Sequence, residues 1–332
     1  GTSSGGTSSG GTSSGGTSSG GTSSGATDPF AFPDGPPLEV VTNGSYYDRA
    51  LLVINTAEKE LDIVQFEAKA SPGTLVANLV AAVENAHKRG VAVRVLLDDE
   101  IEYNTTLRKS LTAKGVPAKT DSKSLRTHCK IIRSEKAVLF GSTNWSQTSI
   151  TKNNEANLLV RHKGARTTMK GYLDALWKNT SSHHSVDVSS SSQAAMYSDK
   201  TFGSIASKLI EKAEDHIEII SYSMNLDPKF KTGPVQDVVA AIQKRMSAKP
   251  KLTVRVILDA SSWSEFNTEL NTTALSELKK RGIIGRLDDP EKITHAKLLI
   301  VDNKVVVGTN NWGKGGFELY HEVGIRTSEE NV

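Results

Sequence analysis

Among its 332 residues the chain has one cysteine, Cys129. That excludes an internal disulfide framework and any cysteine-built metal site. The chain also lacks a dominant charge: 40 Lys and Arg face 37 Asp and Glu, a formal net charge of +3. So small an excess gives no global field for gathering a polyanion, although a local basic cleft would be hidden in the sum. No apolar run approaches the roughly 18 residues that cross a bilayer. No stretch has the charged-then-apolar pattern of a secretory signal. A soluble protein without a transmembrane segment is expected, with its compartment left open.

What is present begins with a tract that cannot fold. Residues 1–25 are five copies of GTSSG, a composition that buries no core and reads as a flexible linker, natural or engineered. Residues 26–37 form an irregular lead-in rich in Pro and Gly. About 290 residues remain, enough for one large domain or two small ones. They contain a long repeat. "THCKIIRSEKAVLFGSTNW" (127–145) returns as "THAKLLIVDNKVVVGTNNW" (294–312), an offset of 167 from His128 to His295. The same offset carries Lys130 to Lys297, Gly141 to Gly308, Asn144 to Asn311, Trp145 to Trp312 and Glu155 to Glu322. Upstream, "VAVRVLLDD" (91–99) matches "LTVRVILDA" (252–260). A period this long, seen twice, is domain duplication rather than a solenoid. The halves are residues 38–180 and 195–332, joined by a polar linker over 181–194.

Each half alternates helical and strand periodicity. "YYDRALLVINTAEK" and "TLVANLVAAVENAHKRG" read as helices, "LDIVQFEA" and "VAVRVLLD" as strands, and the second half repeats the order. The expected fold class is α/β: two homologous halves, each a mainly parallel sheet flanked by helices, related by a pseudo-twofold axis. Half one continues into a helix, "RTTMKGYLDALWKN" (166–179), that half two does not repeat; it is either needed once or trimmed from the end.

The repeated strings read as β-hairpins. Alternation along a strand puts His128 and Lys130 on one face and Cys129 on the other, so Cys129 is a small buried residue and not a nucleophile. The return strand brings Asn144 towards His128 and Asn311 towards His295, and the following turn delivers Glu155 and Glu322 to the same end. Glu135 and Asp302 sit at the far turn, roughly 23 Å along an extended strand from the histidines, where an acid supports the turn rather than chemistry. Histidine exchanges protons near neutrality and can attack phosphorus. Lysine supplies charge for phosphate oxygens, and asparagine a neutral donor. A glutamate beside a histidine holds its tautomer. The candidate catalytic set is therefore His128, Lys130, Asn144, Glu155, His295, Lys297, Asn311 and Glu322, supported by Glu135, Asp302, Ser142 and Thr309. No metal or other cofactor is required, because the lysines neutralise charge. One H-x-K on a strand is a common surface accident; a doubled one with Gly, Asn, Trp and Glu at the same offset is not explained by packing. Trp145 and Trp312 read as packing residues beneath the site, His183 and His184 as linker residues, His87, His162 and His216 as surface or edge positions, and His321 as pointing away.

These residues resemble the phospholipase D superfamily, whose signature is H-x-K-x4-D followed by G-[ST]-x-N. The second half matches fully through His295, Lys297, Asp302, Gly308, Thr309 and Asn311; the first departs only at Glu135. The resemblance implies one site shared by both halves and a covalent phosphohistidine, with His128 taken as nucleophile and His295 as general acid, in a monomer that is its own pseudo-dimer. The stretch "GSTNWSQTSITKNNEANLLV" resembles the nuclease branch, in which two chains form one site. Lys123 and Arg126 before the first motif and Lys292 before the second, with Lys119 and Arg286, are candidates for binding flanking phosphates. A metal-independent nuclease with nucleic acid as substrate leads. A phospholipase D or transphosphatidylase acting on phospholipid headgroups is the alternative, since few exposed aromatic stretches suggest a lipid-facing loop. A non-catalytic binding module stands third.

Overall fold

A computed structural model describes residues 32–186, 194–328 and 330. The GTSSG tract and residues 187–193 of the expected linker lie outside the described residues. The first half contains β1 (Leu38–Thr42), α1 (Tyr46–Asn55), β2 (Glu60–Gln65), α2 (Leu75–Lys88), β3 (Ala92–Leu97), α3 (Glu102–Ala113), β4 (Ala118–Thr120), β5 (Lys130–Ser134), β6 (Val138–Gly141), α4 (Gln147–Thr151), β7 (Ala156–Val160) and α5 (Lys163–Lys178). The second contains β8 (Ala194–Ser198), α6 (Phe202–Ile210), β9 (His216–Ser221), α7 (Pro234–Ala248), β10 (Thr253–Leu258), α8 (Glu265–Lys280), β11 (Ile284–Leu287), β12 (Lys297–Val301), β13 (Lys304–Gly308) and β14 (Val323–Ser328).

Each half builds a seven-stranded sheet. The orders are β1-β7-β6-β5-β2-β3-β4 and, read the same way, β8-β14-β13-β12-β9-β10-β11. The duplication therefore reaches every strand, and the α/β class with two homologous halves is what the sequence led one to expect. Strand direction differs in detail: the sheets are mixed. Only β2–β3 and β3–β4, with their counterparts β9–β10 and β10–β11, pair in parallel. The remaining pairings are antiparallel, because each motif hairpin and the strand after it add to the sheet through short turns. Parallel pairing is confined to strands linked by a helical crossover.

Local sequence explains the elements. α2 begins at Thr74, whose side chain accepts from the Ala77 amide, and ends before Gly90, whose φ of 91° closes the helix in the left-handed region. One apolar core in each half fills the space between helices and sheet. A third joins the halves: Ile131, Phe140 and Leu158 of the first sheet meet Met196, Val307 and Ile325 of the second. The unrepeated helix α5 contributes Met169, Tyr172, Leu173 and Leu176 to this shared layer. The two halves thus share a continuous apolar interior.

Candidate active site

β2 and β3 run towards the end at which β5 begins; Gln65, the last residue of β2, pairs with Lys130, the first of β5. In the second half Ser221 pairs with Lys297 in the same way. These ends meet across the pseudo-twofold. Isolated bridges join Thr127 to His321 and Asn154 to Thr294. The His128 amide donates to the His321 carbonyl at 3.0 Å, and the His295 amide to the Asn154 carbonyl at 2.9 Å.

The cross-pairing decides which carboxylate serves which imidazole. His128 Nδ1 lies 2.9 Å from Glu322 Oε1, and His295 Nδ1 lies 3.1 Å from Glu155 Oε2. The sequence placed each glutamate beside the histidine of its own half; the structure exchanges them. The physical reason is that the strand after each hairpin emerges at the seam and pairs its backbone with the opposite motif. Ser142 Oγ donates to Glu155 and Thr309 Oγ1 to Glu322, so both supporting hydroxyls orient these carboxylates. Asn153 Nδ2 adds a 3.0 Å bond to Glu155. A glycine makes this approach possible: at Gly141, φ 154°, a Cβ would stand 2.4 Å from the Ala156 carbonyl.

Lys130 and Lys297 are equivalent. Each ammonium donates to the carbonyl of its own histidine, at 2.6 and 2.5 Å, and each stands over an aromatic ring, Phe66 at 4.9 Å and Tyr222 at 5.4 Å. The same rings wall the imidazoles, with Phe66 4.8 Å from His128 and Tyr222 4.9 Å from His295. Asn144 Nδ2 donates to Glu67 at 3.1 Å. The Oδ1 atoms of Asn144 and Asn311 are both buried without a partner among the described residues, one from each half.

Burial dominates the titration of these groups. It pushes Lys130 down to about 8 and, together with the Lys130 charge, pushes Lys297 down to about 7. Burial, then the Lys130, Lys297 and His295 charges, holds His128 well below its usual value. His295 is lowered by burial and Lys297, with Glu155 opposing. At Glu155 the upward push of burial is outweighed by His295 and Lys297, and the carboxyl lies below its usual range. At Glu322 burial outweighs the lysines and pushes the carboxyl up to about 7. That His128 and Glu322 shift in opposite senses describes one fact: this buried pair resists separating charge.

Glu135 and Asp302 stand at the far turns and do the same work. Glu135 accepts from the amides of Glu58, Lys59 and Glu60, and Asp302 from those of Glu214, Asp215 and His216. Cys129 is fully buried, its thiol pushed up by burial and its sulfur against the His321 carbonyl. Trp145 and Trp312 pack beneath the site, Trp145 donating to Tyr46 Oη at 3.1 Å.

The basic candidates fare unevenly. Lys123 and Lys292 are exposed on the segments leading into the two motifs. Arg126 is committed to an ion pair with Glu100 between the Phe66 and Tyr320 rings. Lys119 donates to the Trp177 carbonyl, and Arg286 lies on edge strand β11. Sequence reasoning missed a second tier of acids. The Thr127 amide donates to Asp98 and Asp121, and the Thr294 amide to Asp259 at 2.8 Å. Asp98 and Asp259 directly follow β3 and β10 and close the repeated strings VRVLLD and VRVILD, which was the available signal. His183 and His184 do lie between α5 and β8, as expected of linker residues, but His184 stacks on His321 and His183 lies tilted beside it. Exposed aromatics are few, but two stand together: Trp263 is 81 % exposed and Phe266 75 %.

Among the described residues no three His, Cys, Asp or Glu side chains are grouped to hold a metal, and no helix is long and apolar enough to cross a membrane.

No curated protein sequence matches this chain. Among solved structures it resembles phosphatidylserine synthase of Haemophilus influenzae Rd KW20, with a TM-score of 0.66 at 11% identity, covering 89% of this chain and 83% of that one. It also resembles polyphosphate kinase from Porphyromonas gingivalis, with a TM-score of 0.60 at 13% identity over 87% of this chain and 44% of that one. Nuc from Salmonella typhimurium, a phospholipase D family member, aligns at 22% identity with a TM-score of 0.39, covering 44% of this chain and 96% of that one. The family model described as "Cardiolipin synthase, PLD-like domain" matches residues 51–177 and again 207–332. With a doubled motif converging on one seam and that model spanning both halves, the chain belongs to this PLD-like family of the phospholipase D superfamily, whose members act on phosphodiester bonds.

Proposed function

We propose that the chain cleaves phosphodiesters through a covalent phosphohistidine, and that its substrate is a phospholipid headgroup ester. The observation that carries the mechanism is the crossed pair of His–Glu contacts at one seam. His128 is the nucleophile: it stays unprotonated, and once Glu322 is ionised its Nδ1–H is held so that Nε2 presents a lone pair. Nε2 attacks phosphorus, a P–N bond forms, the P–O ester bond breaks, and the departing oxygen takes the Nε2 proton of His295, which enters this step as the imidazolium with its Nδ1–H on ionised Glu155. Water then attacks phosphorus while His295 accepts its proton, and the P–N bond breaks to restore the enzyme. Lys130 and Lys297 meet the non-bridging oxygens, and Asn144 and Asn311 flank them.

Two features support lipid over nucleic acid. Trp263 and Phe266 protrude from the loop after β10 and the first turn of α8, whose Asn267 donates to the carbonyl of Tyr222, the ring beside His295, at 2.9 Å. Aromatic side chains exposed at a site mouth suit a lipid–water interface. The first-half mouth carries acids, with Glu67 accepting from Asn144, Asp99 donating its amide to Asp121 and Glu100 occupying Arg126. Such a rim repels an extended polyanion. Lys123 and Lys292, exposed one from each half, favour the nuclease reading. Incubating the protein with phospholipid vesicles and, separately, with single-stranded oligonucleotides decides between them. Headgroup release, abolished by His128→Ala, is expected; oligonucleotide cleavage with inert vesicles would establish the nuclease.

A further inference from the structure

The two sides of the site share a backbone and differ in charge. Asn43 and Asp199 both adopt positive φ, 47° and 50°. Asn43 Oδ1 accepts from the Glu155 amide at 2.8 Å, and Asp199 Oδ1 from the Glu322 amide at 3.2 Å. Their own amides donate back to the carbonyls of Glu155 and Glu322. Asn154 and His321 are matched as well, each preceding its glutamate and bridging to the opposite motif. One side therefore carries two neutral amides where the other carries an acid and a histidine.

The contacts of His321 fix its state. Its side chain is fully buried, with Nδ1 3.3 Å from Asp199 Oδ2 and Nε2 3.0 Å from the Thr180 carbonyl. A carboxylate and a carbonyl both only accept, so both ring nitrogens must donate and the ring is an imidazolium. Around the pair, Tyr172 Oη donates to Asp199 Oδ1 at 2.9 Å and the His184 amide to Oδ2 at 2.6 Å. The His183 and His184 rings lie 5.7 and 6.1 Å from His321. Asp121 acts on His321 from the first half, Lys200 acts on His183, and the remaining charges facing Glu322 are Lys130 and Lys297. Burial alone would lower His321, but Asp199 outweighs it and the imidazole is raised above its usual value.

We propose that Asp199 and His321 are positioning residues forming a one-sided ion pair that fixes Glu322, and through it the His128 ring, a device replaced on the other side by Asn43 and Asn154. His321 carries the His128 amide on its carbonyl, and Asp199 carries the Glu322 amide, so their contact ties both partners of the His128–Glu322 pair to one rigid unit. The kinetic consequence rests on the function proposed above; the charge state of His321 does not.

The variant to make is Asp199→Asn, which can keep the bond to the Glu322 amide as Asn43 does for Glu155, but leaves His321 without its counter-charge. A kcat about tenfold lower at unchanged KM is expected from a slightly misplaced imidazole. Asp199→Asn with His321→Asn reproduces the amide arrangement of the other side and should recover most of the loss. NMR titration of the unmodified protein should show His321 doubly protonated at pH 7, where a free imidazole is mostly neutral. A neutral His321 at pH 7, or Asp199→Asn with kcat unchanged, overturns the proposal. Were Asp199→Asn to unfold, the titration still decides; were no phosphodiesterase activity found, the titration again reads the pair independently.

Discussion

At the scale of single residues, the site consists of charges held where water is scarce. Lys297, pushed to about 7 by burial and the Lys130 charge, loses its charge around neutrality, and Lys130, pushed to about 8 by burial, just above it. Glu322, pushed up to about 7, must ionise to hold the His128 tautomer. The signs oppose: Glu322 gains charge as pH rises through about 7, while Lys297 loses charge over the same range and Lys130 follows as pH passes about 8. A bell-shaped kcat/KM profile with a narrow summit near pH 7 is expected; a flat profile from pH 6 to 9 would contradict the assignment. The crossed contacts make a separate claim. In a double-mutant cycle read by urea denaturation, Glu155→Gln should couple to His295→Ala by about 1–3 kcal/mol and to His128→Ala by much less. Coupling within each half instead would refute the exchange. The H-x-K pairs, the asparagines and both glutamates were legible residue by residue. The partner of each glutamate was not, since sequence separation says nothing about which side of a seam a strand emerges on.

At the scale of elements, each hairpin is pinned at both ends. The far turn is held by an acid accepting three backbone amides, Glu135 in one half and Asp302 in the other. Asp302→Ala should cost about 1–3 kcal/mol of stability in chemical denaturation, towards the lower end because the carboxylate is partly solvated, with kcat unchanged. Asp302 is held below its usual range despite burial, by these amides, so its contribution is present above the unfolded value and fades as pH falls through the folded one. Its aspartate-to-glutamate exchange at Glu135 is tolerated because the longer chain reaches the same amides. The near end depends on Gly141. Gly141→Ala drives a Cβ into the Ala156 carbonyl beside Glu155, so both the melting temperature and kcat should fall. Helix and strand identities followed from periodicity and capping. Strand direction did not, because alternation of element types suggests crossovers while short turns impose antiparallel pairing.

At the scale of the whole molecule, neither half is complete. His128 needs Glu322, His295 needs Glu155, and the third apolar core draws residues from both sheets. The segments 32–186 and 194–332 expressed apart should therefore show no turnover, and a thrombin site placed in the intervening linker should leave activity intact after cleavage while the halves stay associated. Independent activity of either segment would disprove the shared site. By itself the sequence determined the duplication, the α/β class and the identity of the side chains that gather at the seam, because each is written as a local pattern or an exact recurrence. Only the tertiary structure decided that the glutamates cross the seam, that Asp98, Asp121 and Asp259 hold the motif amides, and that one side carries an ion pair where the other has two amides. Those facts depend on which backbone atoms two separately folded sheets bring within about 3 Å, the reach of a hydrogen bond, and no periodicity along the chain encodes that distance.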